Sequence, residues 1–225
     1  MPRSAIRFAL TCLIVGGLNV GGLNVAGLCV AGVAPAAAQS TPERGVFISQ
    51  IGDAGRVDVT QQNADSLARI AQDGDGNQIT LDQTGSAPHR AQIAQNGDGN
   101  LVAAQQDGDG TTDLALAQDG DQNTAVLFQN ELSASAQTTA AVAQRGNGNT
   151  VVLAQDGSDN SARLDQVGND NTMTATQLNN GNRLEWSQNG DGLADLGVVQ
   201  TGNGNLQITQ STTDAQFAPP PGAGG

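Results

Sequence analysis

Glutamine keeps time along this chain. Gln50, Gln61, Gln72 and Gln83 stand eleven residues apart. Gln95, Gln106, Gln118 and Gln129 follow at steps of twelve, eleven, twelve and eleven. After a step of fifteen, Gln144, Gln155, Gln166, Gln177 and Gln188 return to eleven, and Gln200 and Gln210 close the array. Fifteen units therefore lie between residues 45 and 211. A register held this long marks a repeat architecture, in which each unit buries its apolar face only against its neighbours.

Inside a unit the order is Gln-x-Gly-x-Gly-Asn, then an alternating stretch to the next Gln, as in residues 72–83 and 144–155 and, with Gln122 in the second glycine's place, 118–129. Counting by twos from the Asn gives one face: Asn149, Val151, Leu153 and Gln155, or Asn77, Ile79, Leu81 and Gln83. Period two is the signature of a strand, whose successive side chains point to opposite faces. The glycine pairs Gly74/Gly76, Gly97/Gly99, Gly146/Gly148 and Gly202/Gly204 supply the positive-φ positions of a tight turn. Each unit reads as one short strand and one turn. An eleven-residue period also suits a right-handed coiled coil. Two glycines in most units would make that helix very costly, so the reading is all-β.

Amides on an inward face are expensive unless their hydrogen bonds are met. Stacking identical amides at strand spacing, about 4.8 Å, lets each donate to the next and accept from the last. The expected ladder comprises Gln50, Gln61, Gln72, Gln83, Gln95, Gln106, Gln118, Gln129, Gln144, Gln155, Gln166, Gln177, Gln188 and Gln200. With them stand Asn77, Asn100, Asn123, Asn149, Asn160, Asn171 and Asn182. The expected fold is a β-solenoid of stacked strand-turn-strand rungs over 45–211, with about 11 residues per unit and 22 per rung. A one-strand, three-sided coil of the same unit stays open. The step from Gln129 to Gln144 is expected to hold a longer loop over Asn130–Ser135.

Composition agrees with a repeat rather than a conventional core. Aromatics are 2%, tyrosine is absent and 30 of 225 residues are glycine. The formal charge is −13. Arg3 and Arg7 open the chain, no charged residue follows until Glu43, and an apolar stretch runs to Ala36-Ala37-Ala38-Gln39. This reads as a signal peptide over 1–38, cleaved between Ala38 and Gln39. A six-residue lead-in (39–44) would precede the repeats, and a flexible Pro/Gly tail (212–225) would follow them. The processed chain keeps seven arginines against 22 acids, a net charge of −15, and loses Cys12 and Cys29. Such a surface repels nucleic acid and anionic lipid. No stable membrane insertion is expected.

The Gln-x-Gly-x-Gly-Asn core resembles the curlin repeats of the curli subunits, Ser-x5-Gln-x-Gly-x-Gly-Asn-x-Ala-x3-Gln. It is clearest at 72–83, 95–106 and 144–155 and looser at 118–129 and from 155 to 188. The Ala place is filled by Ala125 and Ala162, elsewhere by Ile79, Val102, Val151, Met173 or Leu184, and the opening Ser is mostly missing. The resemblance implies a two-strand rung and a secreted bacterial subunit that polymerises with itself into an extracellular amyloid fibre of the biofilm matrix. It also implies a nucleator subunit, an outer-membrane secretion pore and a periplasmic chaperone as partners.

Other readings fare worse. Asp73, Asp75 and Asn77 match the first places of an EF-hand loop, but Gln78 replaces its glycine and Thr84 its bidentate Glu. The calcium-binding β-roll has a period of nine, not eleven. A calcium-binding roll and a monomeric solenoid adhesin remain the alternatives. No cofactor and no catalytic set is expected: His89 reads as a loop residue, and no Ser-His-Asp or metal cluster assembles. Trp186 reads as core or ladder end.

Overall fold

The computed structural model describes residues 44–212, and before them the backbone of Cys12–Ile14, Asn19–Val20, Leu23–Asn24 and Cys29–Ala31. Those four segments pair as two small antiparallel ladders. The rest of the expected leader, its cleavage point at Ala38–Gln39, residues 39–43 of the lead-in and the tail from 213 lie outside the described residues.

Fifteen strands follow, one for each unit. They are β1 (Gly45–Ile51), β2 (Arg56–Gln61), β3 (Leu67–Asp73), β4 (Gln78–Gln83) and β5 (Arg90–Asn96). Next come β6 (Leu101–Gly108), β7 (Thr111–Asp119), β8 (Thr124–Glu131), β9 (Gln137–Arg145) and β10 (Thr150–Gly157). The last are β11 (Ser161–Val167), β12 (Thr172–Leu178), β13 (Arg183–Asn189), β14 (Val198–Thr201) and β15 (Asn205–Ser211). No helix occurs among the described residues.

Odd-numbered strands form one parallel sheet of eight, and even-numbered strands a second of seven. Consecutive strands thus lie in opposite sheets, and two units make one rung. The fold is a two-sided β-solenoid of about seven turns, which closes the three-sided option. Every neighbouring pair is in register on glutamine, for example Gln72 with Gln95 and Gln155 with Gln177. Rungs advance by 22, 23 or 26 residues, about 23 on average rather than a constant 22.

The alternating pattern places two apolar residues and one glutamine inward on each full strand. Ile79 and Leu81 of β4 and Ala91 and Ile93 of β5 belong to one continuous core, with Gln83 and Gln95 buried beside them. Trp186, wholly buried on β13, lies in the rung whose even strand, β14, has only four residues and contributes Val198 alone to the core. Trp186 therefore belongs to the core.

The expected loop Asn130–Ser135 is shorter than anticipated. β8 runs on through Glu131 and β9 begins at Gln137, leaving only 132–136 between them. Asn130 and Glu131 stay in the sheet because β6 and β10 are lengthened to match, pairing Gly108 and Gly157 with Glu131. Backbone groups that find partners on both sides have no reason to leave the ladder.

Candidate functional site: the amide ladders and the open edges

The inward glutamines build two continuous columns. In the even sheet Gln61 donates to Gln83 (2.6 Å), Gln83 to Gln106 (2.7 Å) and Gln106 to Gln129 (3.1 Å). The column continues through Gln155 (3.1 Å), Gln177 (2.8 Å) and Gln200 (2.8 Å). In the odd sheet it runs from Gln72 through Gln95, Gln118, Gln144, Gln166 and Gln188 to Gln210, at 2.7–3.0 Å. Each link is Nε2–H to the Oε1 of the following rung, so all run the same way.

Why glutamine, and not merely a polar residue, fills this place follows from its second amide hydrogen. It crosses the core to a carbonyl near the start of a strand in the opposite sheet. Gln106 reaches the Arg90 carbonyl (2.9 Å), Gln155 that of Thr139 (3.0 Å) and Gln188 that of Thr172 (3.0 Å). One hydrogen joins rungs and the other staples the sheets. A buried amide so satisfied loses little on desolvation, whereas an orphaned one costs about 1–3 kcal/mol. Sequence reasoning anticipated the column but not the staple.

Gln50 departs from expectation. Its strand, β1, is the last of its sheet among the described residues, and its side chain is exposed with its amide over Gly55. Gln72 Oε1 is consequently the one buried side-chain atom without a partner among the described residues. At the other end Gln210 completes the column, its Oε1 also accepting from Trp186 Nε1 at 2.8 Å.

The asparagines do not form one amide-to-amide ladder. They split between the two edges of the solenoid and couple mainly through the backbone. Asn77, Asn100, Asn123, Asn149 and Asn171 precede even strands. The Oδ1 of each of the first four accepts the next one's backbone N–H at 2.9–3.1 Å. Their Nδ2 groups reach the turn-glycine carbonyl one rung on, as Asn77 does with Gly97 at 2.7 Å. Asn160 and Asn182 lie on the other edge, and the Asn182 N–H donates to Asn160 Oδ1 at 3.0 Å.

The earlier rungs of that second column hold Ser66, His89, Thr112 and Thr138, all fully buried. His89 is thus a column member rather than a free loop residue. Its Nδ1 meets the Thr112 hydroxyl at 3.0 Å and its Nε2 meets the Thr84 carbonyl. The signal was available: each of these residues stands six places before a Gln, as every ladder Asn does. Glu131 sits beside this column, with its carboxylate buried. It accepts from the Ser133 N–H, the Thr138 hydroxyl and the Asp159 N–H, all at 2.9 Å.

A third column runs along the turns. The Oδ1 of Asp75, Asp98, Asp121, Asn147, Asn169 and Asp191 each accepts the backbone N–H of its counterpart one rung earlier, at 2.6–2.9 Å. The turn aspartates are hydrogen-bonded within the stack, not simply solvated. The predicted glycines Gly74, Gly76, Gly97, Gly99, Gly146, Gly148 and Gly202 have positive φ. Gly204 does not; it stands at the Asn position of its rung, 3.4 Å from Asn182 Oδ1.

Each end of the stack presents strand edges. β1 and β2 end the sheets at the N-terminal side and β15 and β14 at the other. At the first, Val46 and Ile48, on the inward face of β1, remain 43% and 49% exposed. At the second, the segment after β13 covers part of β12, where Asp195 Oδ1 accepts the Thr174 N–H at 2.9 Å. Edges without a partner strand, as these are among the described residues, are templates for another chain.

The family model described as Curlin associated repeat matches residues 138–168 and 146–178. Residues 138–178 carry curlin repeats. No curated protein and no solved structure matches it. The matched curlin repeats span β9 to β12, where the glutamine steps are a constant eleven and Asn149, Asn160 and Asn171 are all present. Earlier rungs share the fold and keep the Gln-x-Gly-x-Gly-Asn core at 72–83 and 95–106, but carry Ser66, His89 or Thr112 at one Asn place.

Proposed function

We propose that this curlin-repeat chain is a structural subunit that stacks end to end with copies of itself into an extracellular cross-β fibre for adhesion and biofilm matrix. The observation that carries the reading is the pair of glutamine columns, each ending at a strand edge that is unpaired among the described residues. At the N-terminal side β1, with its exposed inward face and its outturned Gln50, has no neighbour before it among the described residues, and Gln72 Oε1 behind it is left without a donor. At the far side Gln200 and Gln210 lie on the last strands. A second copy supplies what each end lacks: strand partners, amide partners and cover for Val46 and Ile48. Catalysis plays no part in this reading. Export through a pore, chaperoning before export and nucleation at a surface follow as expectations for such a subunit.

The test is incubation of the chain near neutral pH with and without calcium, followed by thioflavin-T fluorescence and fibre diffraction. Fibres with reflections near 4.8 Å and 10 Å, formed without calcium, support the reading. A monomer that stays soluble under both conditions refutes it, and ordering that needs calcium redirects the assignment to a cation-binding roll.

A further inference from the structure

The two outer faces of the solenoid differ in chemistry. On the odd sheet the outward positions carry both charges, among them Arg90, Asp113, Arg163, Asp165, Arg183 and Glu185. On the even sheet the outward positions from β6 to β12 are apolar, threonine or amide, save Asp107 and Asp156 near the strand ends. Leu101, Val126, Phe128, Val152, Thr174 and Val199 lie on this surface, Leu101 at 39%, Val126 at 41% and Val199 at 64% exposure. A chain with 22 acids against nine basic residues leaves few places where two copies can meet without like-charge repulsion. This is the broad sheet face that allows it.

We infer that the even-sheet face pairs two solenoids side by side, back to back with a second copy of this chain. The inference rests on the fibre reading, and its size shows why. Strands of six outward-to-outward residues span about 20 Å and five rungs about 24 Å, a footprint of roughly 500 Å². A stable interface takes about 800 Å² from each partner. Two isolated copies therefore meet weakly. Copies already joined end to end add their patches, and the threshold is passed at the second copy. Lateral pairing follows elongation rather than preceding it.

A two-fold axis along the stack satisfies the face best. It keeps both solenoids pointing the same way and reverses strand direction across the contact. Val126 then meets the partner's Phe128 row, and Val152 the partner's Ala154 row. Asp107 and Asp156 fall opposite the Leu101–Thr150 column instead of opposite each other. Large beside small is the dry interdigitation of a steric zipper.

Mass per unit length of fibres grown from the full chain, measured by scanning transmission electron microscopy, tests this. Fifteen units span roughly 36 Å of axis, so pairing gives two chains per such length, and a lone solenoid one. The double variant Val126→Lys/Val152→Lys is expected to halve the value while the cross-β reflections persist. Thr174→Lys, a milder change on the same face, is expected to yield a mixture shifted toward single width. Ser187→Lys, on the charged face, is expected to leave the value at two. Single-width wild-type fibres overturn the pairing and leave the fibre reading intact. Equal loss from Ser187→Lys also overturns it, by assigning the contact to another face. Absence of fibres removes both readings together.

Discussion

At the scale of single residues, the core of this protein depends on groups that other cores avoid. Gln155 accepts from Gln129, donates to Gln177 and reaches across to Thr139. Replacing it by Leu keeps the volume but orphans those partners. Gln155→Leu is expected to lower unfolding free energy by about 3 kcal/mol, read from the urea midpoint of the unassembled chain. Asp156→Asn, on the exposed side of the same strand, is expected to shift it by less than about 0.5 kcal/mol. His89 responds to pH instead. Burial pushes its imidazole below the ordinary 6.5, against the opposing pull of the Thr84 carbonyl and the Asp107 carboxylate. The folded chain thus favours the neutral ring, whose Nε2–H donates to Thr84 while Nδ1 accepts from Thr112. A pKa lower folded than unfolded makes this contribution complete above about 6.5, and it is lost as pH falls from there through the folded value. Stability is expected to decline over that window by at most about 1.4 kcal/mol per pH unit from this group. His89→Asn, which installs the residue found at 160 and 182, is expected to flatten the slope in a denaturation series from pH 7.5 to 5.

At the scale of the element, the strand-and-turn unit was legible because period two and the glutamine register are both local in sequence. What pairs with what was not local. Asn77 and Asn160 look alike in the motif, yet the alternation of strands between two sheets sends them to opposite edges. Gln50 looks like Gln72, and only its place at the end of the sheet frees its side chain. The extension of β8 through Glu131 depends on β6 and β10 being long as well, which no single unit reveals. The glycines show the same division. A Cβ on Gly97 would lie 2.4 Å from the Gly120 carbonyl oxygen of the next rung, whereas Gly99 has only the Gln122 side chain near it, at 3.7 Å. The corresponding second position already holds Gln122 and Asp170 at positive φ. Gly97→Ala is therefore expected to destabilise by about 2–4 kcal/mol, through backbone displacement and strain. Gly99→Asn is expected to cost under about 1 kcal/mol, since Asn tolerates the left-handed region. Paired thermal melts of the two variants check the contrast.

The described solenoid is charged, and in the proposed fibre its copies approach end to end. Seven arginines against 22 acids remain after the expected processing. The screening length is about 30 Å at 0.01 M salt and about 10 Å at 0.1 M, so dilute buffer lets almost the full length of one rod repel the next. Raising sodium chloride from 10 to 150 mM is expected to shorten the thioflavin-T lag several-fold, and an unchanged lag would show that charge does not govern encounter. The common direction of the glutamine links has a further physical consequence. Each side-chain amide is a small electric dipole, about 3.5 D if it resembles a peptide unit, and here they add instead of cancelling. One subunit would carry on the order of 40 D along its axis from these two columns, with its positive pole toward β15. Copies joined head to tail would sum that moment, so a growing filament would turn in an applied electric field with a torque proportional to its length.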